Sequence, residues 1–401
     1  MISRTMVGIG CAVWLSVASA AKCDPPASGG ELASQTSPAI STNRVKQHVE
    51  YLASPELEGR GTAKGKQLAS KYILERFGRL GLKPAFDDGL FEQQVPGQKN
   101  ENGQSDVIGK NLAAWLPGRD PELRNEIVIL NCHYDHLGVD RQTGAVFAGA
   151  DDNATGVAMM LEVACELSAS KTPPRRSVAF VAFDLEERLL WGSRWFAAHP
   201  PWPIEQIKLC ITADMIGRSL GDLPLPMVFV LGTEHAPELR KLLDGVATPD
   251  GLEVARMGVD LIGTRSDYGP FRDRKVPFLF FSTGEHPDYH TARDTAERVD
   301  HDKVARVSNL ILGLTRIAAD ADSTPAWVDR PEHELDEVRA LHRITELLLK
   351  ADGAKQLTPV QQFFVSNVRT RTSQILKAGE MKSDDRAWLI RSSQLLLLTV
   401  F

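Results

Sequence analysis

The stretch EIVILNCHYDHLG (126–138) begins as a continuous apolar run and ends in polar side chains. A run of this kind, without polar alternation, is typical of a strand that is buried on both faces of a sheet. His133 follows directly after the predicted strand, which covers 126–132. A buried strand that ends in a reactive side chain predicts an α/β protein whose site lies at the edge of the sheet.

Similar apolar runs recur along the chain, and amphipathic stretches separate them. Further strands are predicted at 111–116, 177–183, 208–213, 227–231 and 276–282. Helices are predicted at 43–52, 66–80, 155–167, 189–198 and 237–246. This alternation predicts an α/β fold with a central mixed, mainly parallel sheet and helices on both of its faces.

Potential metal ligands follow several of these runs in short polar motifs. Five of them stand in the order His133, Asp152, Glu187, Asp214 and His290. Three carboxylates and two imidazoles suit a pair of divalent ions such as zinc. A further acid, Glu186, lies beside one of these ligands and is free to act as a base. The combination predicts metal-assisted hydrolysis.

The spacing within these motifs is more specific than the residue types alone. The chain has H-x-D at 133–135, D-x-x-T-G at 152–156, E-E at 186–187, D-M at 214–215 and Y-H-T at 289–291. It resembles the co-catalytic di-zinc exopeptidases of the aminopeptidase and glutamate carboxypeptidase type. The resemblance runs from about residue 51 to about residue 318 and includes YLASPELEGRGT (51–62).

The resemblance implies a ligand set for two Zn²⁺ ions, although other divalent ions are possible. Asp152 would bridge both ions, and the peptide bond that follows it would be cis. One ion would also take His133 and Asp214. The other would take Glu187 and His290.

It also implies three catalytic residues, Glu186, Asp135 and Tyr289. Glu186 would accept a proton from a water held between the ions and pass it to the leaving amine. The Asp135 carboxylate would accept the free ring N–H of His133 and so orient that ligand. Tyr289 would donate to the developing oxyanion.

Some residues near the motifs receive no catalytic role. His136 and His286 have no ligand role in the family pattern, and Asp184 is predicted to be solvated. Arg218 is predicted to pair with an aspartate. Tyr268 stands where the family commonly has a histidine, in a region expected to form the substrate pocket.

Composition limits the other classes of function. The net charge is −6 and no basic tract is present, so nucleic-acid binding is not expected. Residues 1–20 carry an early arginine, an apolar segment and an Ala-Ser-Ala site, which predict a signal peptide. The apolar segment is too short for a membrane anchor, so no stable membrane insertion is expected.

The rest of the chain is predicted to divide into three parts. Residues 21–42 are rich in Ser, Ala, Gly and Pro and read as a disordered leader. Residues 43–322 form the catalytic domain, and 323–401 form a C-terminal helical extension with helices at 334–349 and 360–377. This extension is predicted to pack on the catalytic domain or on another subunit, and a lid over the active site is the functional alternative. Cys132, Cys165 and Cys210 lie in apolar runs and are predicted to be buried thiols, with a disulfide as the alternative in an exported protein.

The predicted function is that of an exported metallo-exopeptidase, periplasmic or extracellular, and most simply an aminopeptidase acting on peptides. A carboxypeptidase of the same fold and a glutaminyl cyclase with one zinc remain alternatives. Deacetylase-type and dipeptidase-type hydrolases carry a long domain inserted before the final histidine, and this chain has no room for one. A catalytically dead binding module has no chemical need for the complete ligand set. The oligomeric state is left open.

Overall fold

The computed structural model describes residues 39–331, 333–350 and 357–400. The predicted signal peptide and residues 21–38 of the predicted leader lie outside the described residues. Ile40, which was assigned to the leader, is instead fully buried, and its backbone is held by Asn309 through hydrogen bonds of 3.1 and 2.8 Å. The ordered domain therefore begins slightly before the predicted boundary.

A nine-stranded sheet forms the centre of the molecule. Its strands are β1 (Lys83–Pro84), β2 (Glu92–Pro96), β3 (Val107–Leu116), β4 (Ile127–His133), β7 (Ser177–Phe183), β8 (Ile207–Ala213), β9 (Met227–Leu231), β10 (Glu253–Met257) and β11 (Phe278–Ser282). Their order is β1-β3-β7-β4-β8-β11-β9-β10, with β2 paired to β3. A separate hairpin consists of β5 (Gly138–Val139) and β6 (Val146–Phe147).

The four central strands β7, β4, β8 and β11 are parallel to one another. The outer strand β3 pairs antiparallel with β7, and β9 pairs antiparallel with β11. Every residue of β4 and of β7 is buried, as expected for strands covered on both faces. The predicted fold is confirmed, and the short strands β1, β2 and β10 are additions at its edges.

Helices cover both faces of the sheet. The helices of the α/β domain are α1 (Thr42–Leu52), α2 (Ala63–Arg79), α3 (Gly156–Ser168), α4 (Trp191–Ala198), α5 (Glu238–Asp244), α6 (Gly269–Arg272) and α7 (His301–Asp320). Alternate residues of β4 belong to different cores: Val128 and Leu130 face the cluster with α1, α2, α3 and α7. Ile127 and Ile129 face the cluster with α4 and α6.

Three further helices form the C-terminal extension: α8 (Leu335–Lys350), α9 (Pro359–Ala378) and α10 (Ser383–Thr399). Helix α10 was not among the helices predicted for the extension. The extension shares an apolar core with the sheet domain through Leu220, Met227 and Leu261. Within the described residues, no helix combines the length and apolar character that a membrane span requires.

The cysteines follow the prediction in part. Cys132 and Cys210 are fully buried free thiols, and burial raises the pKa of Cys210 to about 12. Cys165 is disulfide-bonded, so its prediction as a free thiol is wrong. An apolar run does not distinguish the two states, because a disulfide is as compatible with a buried environment as a thiol is.

Candidate metal centre and active site

The candidate site lies at the carboxyl end of the central strands. His133 is the last residue of β4, and Asp214 follows directly after β8. Glu187 lies in the turn after β7, and His290 lies in the loop after β11. Because these four strands are adjacent and parallel, their ends meet at one edge of the sheet. Asp152 reaches the same edge from the loop before α3.

The two carboxylate oxygens of Asp152 face different groups of side chains. Oδ1 lies 3.3 Å from His133 Nε2, which is also 3.3 Å from Asp214 Oδ1. Oδ2 lies 3.2 Å from His290 Nε2, which is also 3.1 Å from Glu187 Oε2. The peptide bond between Asp152 and Asn153 is cis, as the resemblance implied. The five predicted ligands are thus brought together, with Asp152 between two subsets.

A sixth side chain, which sequence reasoning left without a role, joins the second subset. His136 is buried, and its Nδ1 lies 2.7 Å from Glu187 Oε1 and 3.6 Å from Asp152 Oδ2. Its ring meets that of His290 edge-on, with centroids 5.7 Å apart. His136 directly follows the H-x-D motif at 133–135. This position next to a predicted ligand motif was the sequence feature that could have indicated a role at the site.

The spacing of these atoms fits bound divalent ions. Zinc bonds to nitrogen and oxygen of about 2.0–2.1 Å place neighbouring ligands of a tetrahedron roughly 3.3–3.4 Å apart. The distances of 3.1–3.3 Å from His133 and His290 to their carboxylates match that edge. Moreover, the buried Nε2 of His290 makes no hydrogen bond despite this proximity. Ligand atoms of His290, Asp152 and Glu187 all lie within 4.8 Å of one another, which is close enough to surround one ion.

The charges of the site depend on one another. Burial alone would raise the pKa of Asp152, but His136, His133 and His290 hold that pKa well below its usual value. Burial would likewise raise the pKa of Glu187, yet the imidazoles of His136 and His290 keep it low. Burial lowers the pKa of His290, but the carboxylates of Asp152 and Glu187 raise it overall to about 10. The cluster therefore attracts positive charge.

Glu186 lies beside this cluster and lines the same cavity as Asp152 and Asp214. Its pKa is raised well above the usual value, mainly by burial and also by the charge of Asp214. The backbone N–H of Glu186 donates to Asp135 Oδ1 at 3.1 Å. Asp135 therefore fixes the turn that carries the glutamate pair.

Asp135 contacts His133 differently from the prediction. The ring Nδ1 of His133 lies 3.2 Å from the backbone carbonyl of Asp135 but 3.7 Å from its carboxylate. The carbonyl is therefore the nearer acceptor for the ring N–H. Tyr289, the other predicted catalytic residue, stacks on His290 with centroids 3.8 Å apart and lines the cavity. Burial raises the pKa of Tyr289, so its hydroxyl stays protonated.

The model of peptidase family M28 matches residues 111–315 of this chain. The chain belongs to this family. The predicted resemblance to co-catalytic zinc exopeptidases is thereby confirmed. The family match includes all the predicted metal ligands and ends before α8.

Relatives of this M28 peptidase include endoplasmic reticulum metallopeptidase 1 of Mus musculus, which is 25% identical over 300 residues, 71% of this chain. The chain spans about a third (31%) of that relative's length. A zinc aminopeptidase from Bacillus subtilis shares the fold at a TM-score of 0.55 and 15% identity, over 74% of this chain and 100% of its own. A glutaminyl cyclase from Porphyromonas gingivalis also shares the fold, at a TM-score of 0.55 and 18% identity. The match covers 70% of this chain and 99% of the cyclase.

The upstream motif that the M28 peptidase carries at 51–62 supplies a buried arginine beneath the site. Arg60 is fully buried, and its guanidinium donates to backbone carbonyls only. The acceptors are the carbonyl oxygens of Leu52, Tyr134, Ala148, Gly149 and Asp152, at 2.6–3.3 Å. Because these carbonyls belong to separate loops, Arg60 joins the loop after β4 to the loop that carries Asp152.

One other side chain supports the Asp152 loop and was missed from the sequence. The buried carboxylate of Asp294 accepts the backbone N–H groups of Asp151 and Asp152 at 3.0 and 3.1 Å. Burial and the charge of Asp151 raise the pKa of Asp294 to about 6. Gly149 has a φ of 59° and packs against the ring of His136, where a Cβ atom would come within 2.5 Å.

Three side chains that received no catalytic role from the sequence, those of Asp184, Tyr268 and Arg218, differ in their surroundings. Asp184 was predicted to be solvated, but it is buried, pairs with Lys66 and accepts the backbone N–H of Lys110 at 3.0 Å. Tyr268 packs in the core below the sheet and donates to the Gly263 carbonyl at 2.6 Å. Arg218 pairs with Asp222 and Asp288 at 2.6 and 3.2 Å, as predicted.

A cavity of about 430 Å³ adjoins the candidate metal-ligand cluster of this M28 family member. Its polar end is formed by Asp152, Glu186, Asp214 and Tyr289. Most of its remaining wall is apolar and comes from the sheet domain and from the C-terminal extension. Among the described lining residues, Arg265 is the single lysine or arginine, and it lies 3.6 Å from Glu285.

Proposed function

We propose that the chain is an exported metal-dependent aminopeptidase that removes N-terminal residues from peptides. The observation that carries the proposal is the division of the two Asp152 oxygens between two sets of ligand atoms, with Glu186 on the wall of the adjoining cavity. His133, Asp152 and Asp214 would hold one zinc ion. Asp152, Glu187 and His290 would hold a second.

Bound divalent ions would supply Lewis acidity, which lowers the pKa of water and polarises a carbonyl oxygen. The chain's own residues manage the protons. Glu186 accepts the proton of the attacking water and donates it to the leaving amine. The Asp135 carboxylate positions Glu186 by accepting the backbone N–H of Glu186. Tyr289 donates from its neutral hydroxyl to the oxyanion.

The charges of the cavity favour a substrate with a free amine. A carboxypeptidase needs an unpaired cation for the substrate's terminal carboxylate, whereas Arg265 already lies beside Glu285. Glu186 and the other acids at the polar end suit an ammonium group instead. Acetylating the N-terminus of a peptide should therefore abolish its cleavage. Cleavage of acetylated peptides that stops on C-terminal amidation would indicate a carboxypeptidase.

The roles of the two adjacent glutamates can be separated by mutation. Glu186→Gln should lower kcat by about 10²–10⁴-fold, the usual cost of losing a general base, while the metal content stays near two equivalents. Glu187→Gln should instead lower the metal content, measured by mass spectrometry of protein purified without chelator. Full activity in Glu186→Gln, or equal metal loss in both variants, would reverse the assignment.

The shared fold of a glutaminyl cyclase makes cyclisation the second candidate function. A peptide with N-terminal glutamine should be hydrolysed rather than cyclised, as mass spectrometry of the product will tell. Purified protein that binds only one zinc ion and releases ammonia from this peptide would favour the cyclase.

The same proposal extends to the organisation of the chain. Residues 1–20 would be cleaved as a signal peptide, and a leader would follow that ends before the buried Ile40. The catalytic domain would run from there to 322, and 323–401 would form a helical extension. The mature enzyme would then act in the periplasm or outside the cell. N-terminal sequencing of the exported protein tests the cleavage site.

A further inference from the structure

The C-terminal extension contributes part of the wall of the cavity that adjoins the metal-ligand cluster. Leu341 and Ile344 of α8 and Leu396 and Leu397 of α10 line it. They face Phe229 and Met257, among other apolar residues of the sheet domain. These helices lie beyond residue 315, where the family match ends. The wall they form therefore lies outside the part of the chain that the family model matches.

The extension is held firmly against the sheet domain. Arg343 of α8 makes two hydrogen bonds, of 2.9 and 2.7 Å, to the carboxylate of Glu253 in β10. Arg256 of β10 lies 3.0 Å from Asp336 of α8. Arg386 of α10 pairs with Asp260. Since these pairs and a shared apolar core join the two parts, the wall is a built element rather than a loosely attached tail.

We propose that α8 and α10 complete the specificity pocket, which takes a large apolar side chain from the residue whose peptide bond is cleaved. This inference rests on the proposed function. The cavity connects Asp152, Glu186 and Asp214 directly to the apolar wall, so a substrate held at the acids must extend its side chain along that wall. A volume of about 430 Å³ is within the range of specific ligand pockets, and its lining suits Leu, Phe or Trp better than charged residues.

Filling the pocket tests the inference. Leu397→Trp should lower kcat/KM for phenylalanine and leucine p-nitroanilides at least tenfold relative to alanine p-nitroanilide. Leu395→Trp is the matched control, because Leu395 is on the same helix, is 45% exposed and does not line the cavity. It should leave the ratio unchanged, and the circular dichroism of both variants should match that of the parent.

The outcomes separate this inference from the proposed function. If no aminoacyl anilide is cleaved by the unmodified enzyme, the aminopeptidase proposal fails. If the enzyme cleaves alanine and lysine substrates as well as apolar ones, the pocket inference alone fails. The pocket inference also fails if folded Leu397→Trp keeps the parent's ratio of kcat/KM between the apolar and the alanine anilides.

A second inference comes from a different observation, the position of His136. We infer that His136 is a further protein ligand of the ion that Asp152, Glu187 and His290 would hold. Ligand atoms of these four residues all lie within 4.8 Å of one another. The ring cannot turn away, because it packs against Gly149 on one side and meets His290 on another.

A simpler role for His136 would be a hydrogen bond from Nδ1 to Glu187, and the 2.7 Å distance is compatible with it. An asparagine at position 136 distinguishes the two roles, because it can replace histidine as a hydrogen-bond donor but not as a zinc ligand. The side-chain amide of His136→Asn places an N–H donor where Nδ1 stands, so it keeps the hydrogen bond but is a poor zinc ligand. His136→Ala removes both interactions.

Zinc affinity and coordination distinguish these roles without an activity assay. In competition with a chromogenic chelator, His136→Asn should lose at least tenfold in affinity for one of the two ions, as His136→Ala does. X-ray absorption of the zinc-loaded protein should give three imidazoles for two ions, falling to two in His136→Asn. His199→Gln, at an exposed histidine outside both ligand groups, should change neither result. Wild-type affinity and two imidazoles in both proteins would overturn the inference.

Discussion

Arg60 supports the site through the backbone, because its guanidinium donates to carbonyl groups and to none of the predicted ligand side chains. Its planar guanidinium presents donors in several directions at once, which a lysine ammonium on a flexible stem cannot reproduce. It satisfies carbonyl groups that would otherwise be buried without a partner. Such groups cost about 1–3 kcal/mol each when they lose their donor.

Arg60→Lys should therefore lower the free energy of unfolding by roughly 2–4 kcal/mol, although the charge is kept. It should also weaken zinc binding, since the loop that carries Asp152 loses its anchor. Urea denaturation and metal analysis measure the two effects. Arg119→Lys, at a surface residue 3.4 Å from Asp320, is the control and should cost less than about 0.5 kcal/mol. Equal stability of the two variants would contradict the role given to Arg60.

At the scale of elements, the loop from Gly149 to Thr155 determines where Asp152 points. Gly149 combines a left-handed backbone with direct contact to the His136 ring. Gly144 also has a positive φ, of 73°, but a Cβ atom there would meet nothing within 4 Å. Gly144→Ala should lower the free energy of unfolding by only about 1–2 kcal/mol, the cost of placing an alanine in the left-handed region. Gly149→Ala should cost more than about 3 kcal/mol and reduce the zinc content.

These elements also illustrate what the sequence could and could not predict. The strands that carry His133 and Asp214 were predictable because buried parallel strands are continuous apolar runs. The short strands β1, β2 and β10 were not, since edge strands carry a weak pattern. Asp184 was misjudged because a polar side chain in a motif looks solvated until the fold supplies its partner, here Lys66. The contact of His136 with Glu187 was not predicted for the same reason.

At the scale of the whole molecule, the candidate centre joins segments that are distant in the chain. The predicted ligands come from the end of β4, the residue after β8, the loop before α3, the turn after β7 and the loop after β11. Three of these ligands are carboxylates, and without a cation their mutual repulsion opposes the native arrangement. Metal binding should therefore stabilise the entire α/β domain and not only the site.

Thermal unfolding with and without zinc tests this coupling and counts the ions. An ion that binds only the native state contributes about 2.7 kcal/mol when its free concentration is a hundred times its Kd. Two such ions should contribute about 5 kcal/mol, and chelator treatment should lower the Tm accordingly. Asp152→Asn should lose most of the zinc-dependent gain, because both ions would share this carboxylate, whereas Asp214→Asn should keep about half. If Asp152→Asn and Asp214→Asn lost equal parts of the gain, Asp152 would not bridge two ions.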